Sequence, residues 1–318
     1  MKKKFLLSLI SLILFTSCGN NNSIIEGKFY YFDTLVNVKL YEGDSSNKLD
    51  IGNILMNYSN ISDNYFHIDG YINPYDINDS HEDMKISPEL YDLISTSFAM
   101  QEISNGYFNP LIGSLSKKWK ESLKNGQILD ENIIFEELEK LSSSSITLKE
   151  DNYILRNGEA ELDLGAITKG YVLDKVKEYL DEKEMKCYLI DAGSSSILLG
   201  EKDSNDGYFN VSISGRNSYL SLKDCFIASS GTSIQGVVID GVTYSHIVNP
   251  FTGSVINNYD ATYVIGNSGA LCDVLSTSFM MMDLDMIKEL EEEYDVKALI
   301  YKNDNIYYIN EGIEVKYH

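Results

Sequence analysis

Arginine is almost missing from this chain. Of 26 basic residues only Arg156 and Arg216 are arginine, and 48 acidic residues leave a formal charge of −22. A polyanion of that strength repels phosphate backbones at long range, which argues against nucleic acid as a partner. The shortage also limits how any phosphate is held: not by guanidinium forks, but by Lys, backbone N–H groups, hydroxyls or a metal ion. Histidine is scarce too, and the four at 67, 81, 246 and 318 show no metal-ligand spacing, which argues against zinc chemistry. The four Pro (74, 88, 110, 250) fall near loops, no Pro- or Ser-rich linker divides the 318 residues, and no period repeats. One large domain is expected. The 12 Phe and 23 Tyr, which need a core to pack in, argue against disorder.

The most apolar run is residues 5–15, preceded by Lys2-Lys3-Lys4 and followed by Thr16-Ser17-Cys18. Eleven helical residues span about 16 Å, too short for a bilayer core of roughly 30 Å. Residues 1–17 therefore read as a signal peptide. Small residues before a Cys resemble the bacterial lipobox, in which Cys18 is lipidated; an ordinary signal peptide with an incidental Cys is the plainer alternative. Residues 18–27 are assigned to the lipidated Cys and a flexible tether, and 28–318 to the folded domain. The expected location is the extracytoplasmic face of the cell membrane. Cys187, Cys225 and Cys272 remain, an odd number, so a disulfide framework does not hold the domain together.

Along the domain, alternation predicts a strand over 30–41, and apolar spacing predicts helices over 90–106 and 131–141. A Gly-containing turn leading into an amphipathic helix occupies 162–180. A buried strand interrupted by Ala-Gly-Ser-Ser-Ser fits 187–199, with further strands over 208–214, 220–229 and 236–244. Helices follow over 270–282 and from 285 to 294, then closing strands over 297–309. Without regular βαβ alternation this is an α+β chain of mixed sheets and packed helices.

Three stretches have the residues for chemistry. In Asp163-Leu-Gly-Ala-Ile-Thr-Lys169-Gly, a Gly-rich turn opens a helix, an arrangement suited to anions; an N-capped helix with a solvated Lys would use the same residues. Asp273 and Thr277 lie at i, i+4 and so share a face of an otherwise apolar helix, where hard oxygens favour Mg²⁺ or Ca²⁺. The alternative is a Thr bonded back to its own helix and an Asp near the cap. His246-Ile-Val-Asn249-Pro-Phe-Thr252-Gly253 places one His at the mouth of a tight loop, although a lone His is more often structural. Ser229-Ser230-Gly231 precedes it with hydroxyls and N–H groups.

Taken in order, the blocks Phe32-Asp33-Thr34, Asn105-Gly-Tyr-Phe108-Asn109-Pro110, the Gly113/Leu115/Trp119 segment, DLGAITKGY, SSG, HIVNPFTG and CDVLSTSF resemble the ApbE-type FAD:protein FMN transferases. The resemblance implies an enzyme that takes FAD and Mg²⁺ and joins FMN through a phosphoester to a Thr of an exported acceptor protein, releasing AMP. It implies that Asp273 and Thr277 ligate Mg²⁺ with the Ala166 carbonyl, and that Asp163, Lys169, Asn109, Ser195, Ser230 and Phe32 face FAD. His246 is then the candidate general base, a role Asp273 could share. Departures are Asn109 where the family often has Asp, Gly193-Ser194-Ser195 where Gly-Gly is common, and Ser229 in place of Thr. Two other readings use the same site: a Mg²⁺-dependent FAD pyrophosphatase, and a lipoprotein that binds or scavenges flavin without turnover.

Overall fold

The computed structural model describes residues 24–202, 207–232, 236–239, 241–255 and 258–317. Residues 1–23, with the stretch read as a signal peptide, Cys18 and most of the expected tether, lie outside the described residues. The chain opens with a hairpin, β1 (Ile25–Tyr31) and β2 (Thr34–Leu40), then α1 (Ser45–Ile61), α2 (Pro74–Asp79), β3 (Met84–Lys85), α3 (Pro88–Ile103), α4 (Gly113–Lys124) and α5 (Glu131–Ser143). A second hairpin, β4 (Ser145–Lys149) and β5 (Tyr153–Asn157), leads to α6 (Thr168–Glu182), and β6 (Tyr188–Ala192) and β7 (Ser196–Leu199) form a third. Next come β8 (Phe209–Ser212), β9 (Ser218–Leu222), β10 (Cys225–Gly231), β11 (Val237–Ile239), β12 (Val242–Tyr244) and β13 (Ala261–Gly266). The chain closes with α7 (Gly269–Phe279), α8 (Leu284–Tyr294), β14 (Lys297–Lys302), β15 (Asn305–Ile309) and β16 (Val315–Tyr317).

Eight strands form one sheet in the order β1-β2-β6-β7-β10-β13-β14-β15, every neighbouring pair antiparallel. Alternation along the central strands sorts side chains to two faces. Phe226, Ala228, Val264, Ala298 and Ile300 point to a helical layer, in which α7 lies on β7, β10 and β13 and α6 packs against α7 and α1. Ile227, Tyr263, Ile265, Leu299 and Tyr301 point the other way, into a smaller core closed by the sheet β16-β9-β8. A third cluster joins Leu115, Trp119 and Leu123 of α4 to Ile134 and Leu138 of α5 and to Val248.

Several sequence expectations shift. The run 30–41 is not one strand, because Phe32 and Asp33 both have φ of 55° and make the two-residue turn between β1 and β2. Positive φ at both central residues is what a type I′ hairpin requires. β1 begins at Ile25, inside the stretch assigned to the tether. The run 220–229 is the end of β9 and most of β10, separated by a turn with Asp224 at φ 46°. The helices α1 and α4 were not anticipated, and α1 is the longest among the described residues.

Both arginines are used structurally. Arg156 is buried and donates to the carbonyls of Ile77, Asn78, Gly158 and Ala160. The Arg216 guanidinium lies 3.8 Å from the centre of the Tyr301 ring.

Candidate active site

At one end of the large sheet, the turn Phe32-Asp33, the β6–β7 turn and the end of β10 come side by side, since β2 pairs with β6 and β7 with β10. The turn that opens α6 and the side of α7 lie over this end. α6 has no side-chain N-cap: Ile167 stands at that position, so its first-turn amides need other acceptors. One comes from α7. Asp273 is only 6% exposed, and its Oδ2 accepts from the Gly170 amide at 2.6 Å while its Oδ1 accepts from the Ser196 hydroxyl at 2.6 Å. Gly170 is the third residue of α6, so its N–H has no acceptor within the helix and goes to the carboxylate; among the described residues no backbone amide donates to the carbonyl of Ala166, just before the helix. A carboxylate and an unclaimed carbonyl therefore share the mouth of α6.

One turn beyond Asp273, the Thr277 hydroxyl lies 3.0 Å from the Ser230 hydroxyl, which is also 3.0 Å from that of Ser276. Burial raises the Asp273 pKa to about 6, against the opposing pull of the Lys169 ammonium and the hydrogen bonds from Ser196 and Gly170. Among the described residues no ion pair holds Lys169. Its charge acts on both Asp273 and His246. His246 is exposed at the surface, yet the surrounding protein takes part of its side chain out of water. That enclosure, with the ammonium groups of Lys120 and Lys169, lowers its pKa to about 4. The imidazole is thus neutral at physiological pH and able to take a proton.

The other expected residues lie around this group. The Asp163 amide donates to Pro110 O at 2.7 Å, and its carboxylate accepts from Gly165 N–H at 2.8 Å. Asn109, next to Pro110, accepts from Leu111 N–H at 2.9 Å and so closes its own turn. No hydrogen bond joins Phe32 or Asn109 to Asp273, Thr277 or Lys169 among the described residues; Phe32 donates its amide to Ser59 Oγ at 3.3 Å. Ser195 turns to its own loop, with its hydroxyl 3.5 Å from Ala192 O and its carbonyl accepting Ser229 N–H at 2.7 Å.

The donor set suits a hard cation. One carboxylate, one hydroxyl and one free carbonyl are all oxygen, and Mg²⁺ is commonly held by one or two carboxylates with substrate phosphates completing the shell. No group of three His, Cys, Asp or Glu that could hold a metal occurs among the described residues, so any ion here depends on substrate or water oxygens as well.

The profile of the ApbE family matches residues 32–300, which takes in every one of these groups. The chain belongs to the ApbE family. Curated relatives in the family include the FAD:protein FMN transferase of Treponema pallidum (strain Nichols), 26% identical over 231 residues, covering 66% of this chain and 64% of that protein. The match thus spans slightly under two thirds of the Treponema protein's length. The FAD:protein FMN transferase of Chlamydia pneumoniae is 25% identical over 320 residues, covering 96% and 98%. Two solved structures share the fold: an ApbE protein from Thermotoga maritima (TM-score 0.74, 21% identity, 92% of this chain and 96% of that one) and the flavin transferase ApbE from Vibrio cholerae (TM-score 0.73, 20% identity, 92% and 96%). The ApbE fold, mixed helices and antiparallel sheets in one domain, is what the α+β expectation described.

Within this ApbE chain two groups at the centre were not singled out from sequence: the Ser196 hydroxyl and the Gly170 amide. Ser194, Ser195 and Ser196 are consecutive, and only the phase of β7 decides which faces Asp273. Lys120 was also missed. It lies on α4, which Trp119 ties to the His246 loop by donating Nε1–H to Gly253 O at 2.7 Å.

Proposed function

We propose that this chain moves FMN from FAD to a hydroxyl of a protein, with a Thr as the target, Mg²⁺ required and AMP released. The observation that carries the reading is the position of Lys169, which acts on both a buried carboxylate and a neutral imidazole in a chain whose two arginines are spent elsewhere. A pyrophosphate brought to this point meets a cation that no carboxylate pairs among the described residues, and the amino end of α6.

In the proposed step the acceptor hydroxyl attacks the phosphorus on the FMN side of the pyrophosphate. A new P–O bond forms, the bond to the AMP phosphate breaks, and AMP leaves with the electron pair. His246 takes the hydroxyl proton, its imidazole being neutral at physiological pH. Lys169 offsets negative charge on the phosphates, and Ser230 holds the Thr277 hydroxyl in place. Asp273, Thr277 and the Ala166 carbonyl would hold Mg²⁺, which when bound supplies charge neutralisation to a phosphoryl transition state. The opening of His246 to solvent favours one competing outcome, in which water replaces the acceptor and FAD is hydrolysed to FMN and AMP.

The reading extends to location. Residues 1–17 and Cys18 support export and a lipid anchor, so the acceptor would be an exported protein within reach of the membrane. Among the described residues no helix is long and apolar enough to cross a membrane. The test is the His246→Ala variant: FAD should bind near the wild-type level while acceptor-dependent AMP release is lost. Loss of FAD binding together with activity would make His246 a ligand-holding residue and remove the proton-transfer role.

A further inference from the structure

α6 and α7 cross where neither carries a side chain. A Cβ added at Gly170 would lie 2.0 Å from the Gly269 carbonyl oxygen, and one added at Gly269 would lie 2.3 Å from that of Gly170. At this contact each helix supplies a carboxylate to the amino end of the other. Asp273 of α7 accepts the Gly170 amide of α6. In return Asp174 of α6 accepts the amides of Gly269 at 2.6 Å and Ala270 at 2.9 Å, and the Ser268 hydroxyl at 3.2 Å.

Asp174 is not needed merely to begin α7. Ser268 already does so, its hydroxyl accepting Leu271 N–H at 3.3 Å. What Asp174 adds is a tie between two helices that have no side chains at their crossing to set the spacing. Asp273 and Thr277 lie one and two turns beyond that tie on a stiff element, so fixing the first turn of α7 fixes the height and rotation of both side chains against Lys169 of α6 and Ala166 in the turn that leads into it. We infer that Asp174 is a positioning residue for the ion-binding oxygens. It touches neither the ion nor FAD and acts through the register of α7 against α6. The inference rests on the Mg²⁺ reading given above.

The test uses Mn²⁺ as probe, titrated by electron paramagnetic resonance into the full chain with FAD present. Asp174→Asn keeps the shape but loses the second charged acceptor; Asp174→Glu keeps the charge but is one methylene too long. Both should remain folded by circular dichroism and bind Mn²⁺ about 10–100-fold more weakly, as changes behind a metal site typically do. Ser268→Ala, which removes a cap and leaves the two amide bonds of the tie, should bind as wild type does. A folded Asp174→Asn protein with wild-type Mn²⁺ affinity would make Asp174 a helix cap only and overturn the inference. If Asp174→Asn does not fold, Asp174→Glu answers the same question by the same criterion. Absence of Mn²⁺ binding by the wild-type chain would instead overturn the metal reading, and this inference with it.

Discussion

Enclosure by the protein and the ammonium groups of Lys120 and Lys169 bring His246 to a pKa of about 4, against 6.5 for an unperturbed ring. Between those values the unfolded chain binds the proton and the folded chain does not. The stability His246 contributes is therefore complete above 6.5 and is lost as pH falls through 4. For activity at saturating Mg²⁺, the transfer rate should stay level as pH falls through 6.5 and drop only towards 4; a rate halved at 6.5 would show that the ring titrates as a free imidazole. At Asp273 the expected effect is on the ion. Asp273→Asn should weaken Mg²⁺ by more than the roughly 10–100-fold typical of residues behind a metal site, read from the Mg²⁺ concentration needed for half-maximal transfer. An unchanged requirement would remove Asp273 from the metal site. Asp273 and Thr277 were legible in the sequence because i, i+4 spacing on an apolar helix leaves a carboxylate and a hydroxyl needing partners. Ser196 was not, because neighbouring serines differ only by strand phase, and phase is set by the cross-strand register of β7 against β6 and β10.

The crossing of α6 and α7 is the element that positions the centre, and it depends on two glycines. Gly170→Ala would push a methyl group into the Gly269 carbonyl, a clash of backbone that no side-chain rotation relieves. It should destabilise by about 1–3 kcal/mol or more, visible as a lower urea midpoint with an unchanged slope. A variant as stable as wild type would mean that the two helices are free to separate. Helices with strong periodicity, such as α5, were legible, and so was α7. α1 was not: its 17 residues include four Asn, three Ser and Gly52, poor formers by propensity, and tertiary burial of Ile51, Leu55, Tyr58 and Ile61 overrides that. The β1–β2 turn escaped notice because Phe32-Asp33 lacks the Gly or Asn that ordinarily marks positive φ.

Across the whole molecule, the arginine shortage sets how charge is distributed. Arg156, with no carboxylate partner among the described residues, gathers four carbonyls from α2 and the loop after β5. Beside it the Asn78 side chain bonds both N–H and C=O of Leu162, the residue before Asp163. Arg156→Ala should therefore destabilise by roughly 1–3 kcal/mol for each carbonyl left unpaired. Thermal or urea unfolding checks this, and a loss no larger than that of a surface substitution would show the carbonyls find water instead. The α+β class and single domain followed from the order of apolar patterns. The strand order of the large sheet did not, because pairing of β2 with β6 or β10 with β13 depends on contacts far apart in sequence.

The central claim is transfer to a protein, and intact-mass spectrometry tests it most directly. An exported flavin-domain acceptor is incubated with the chain, FAD and Mg²⁺, with and without EDTA. The account predicts that the acceptor gains one FMN phosphoryl unit and that EDTA abolishes the gain. An acceptor of unchanged mass, with AMP and FMN free in solution, would contradict it and make the chain a hydrolase.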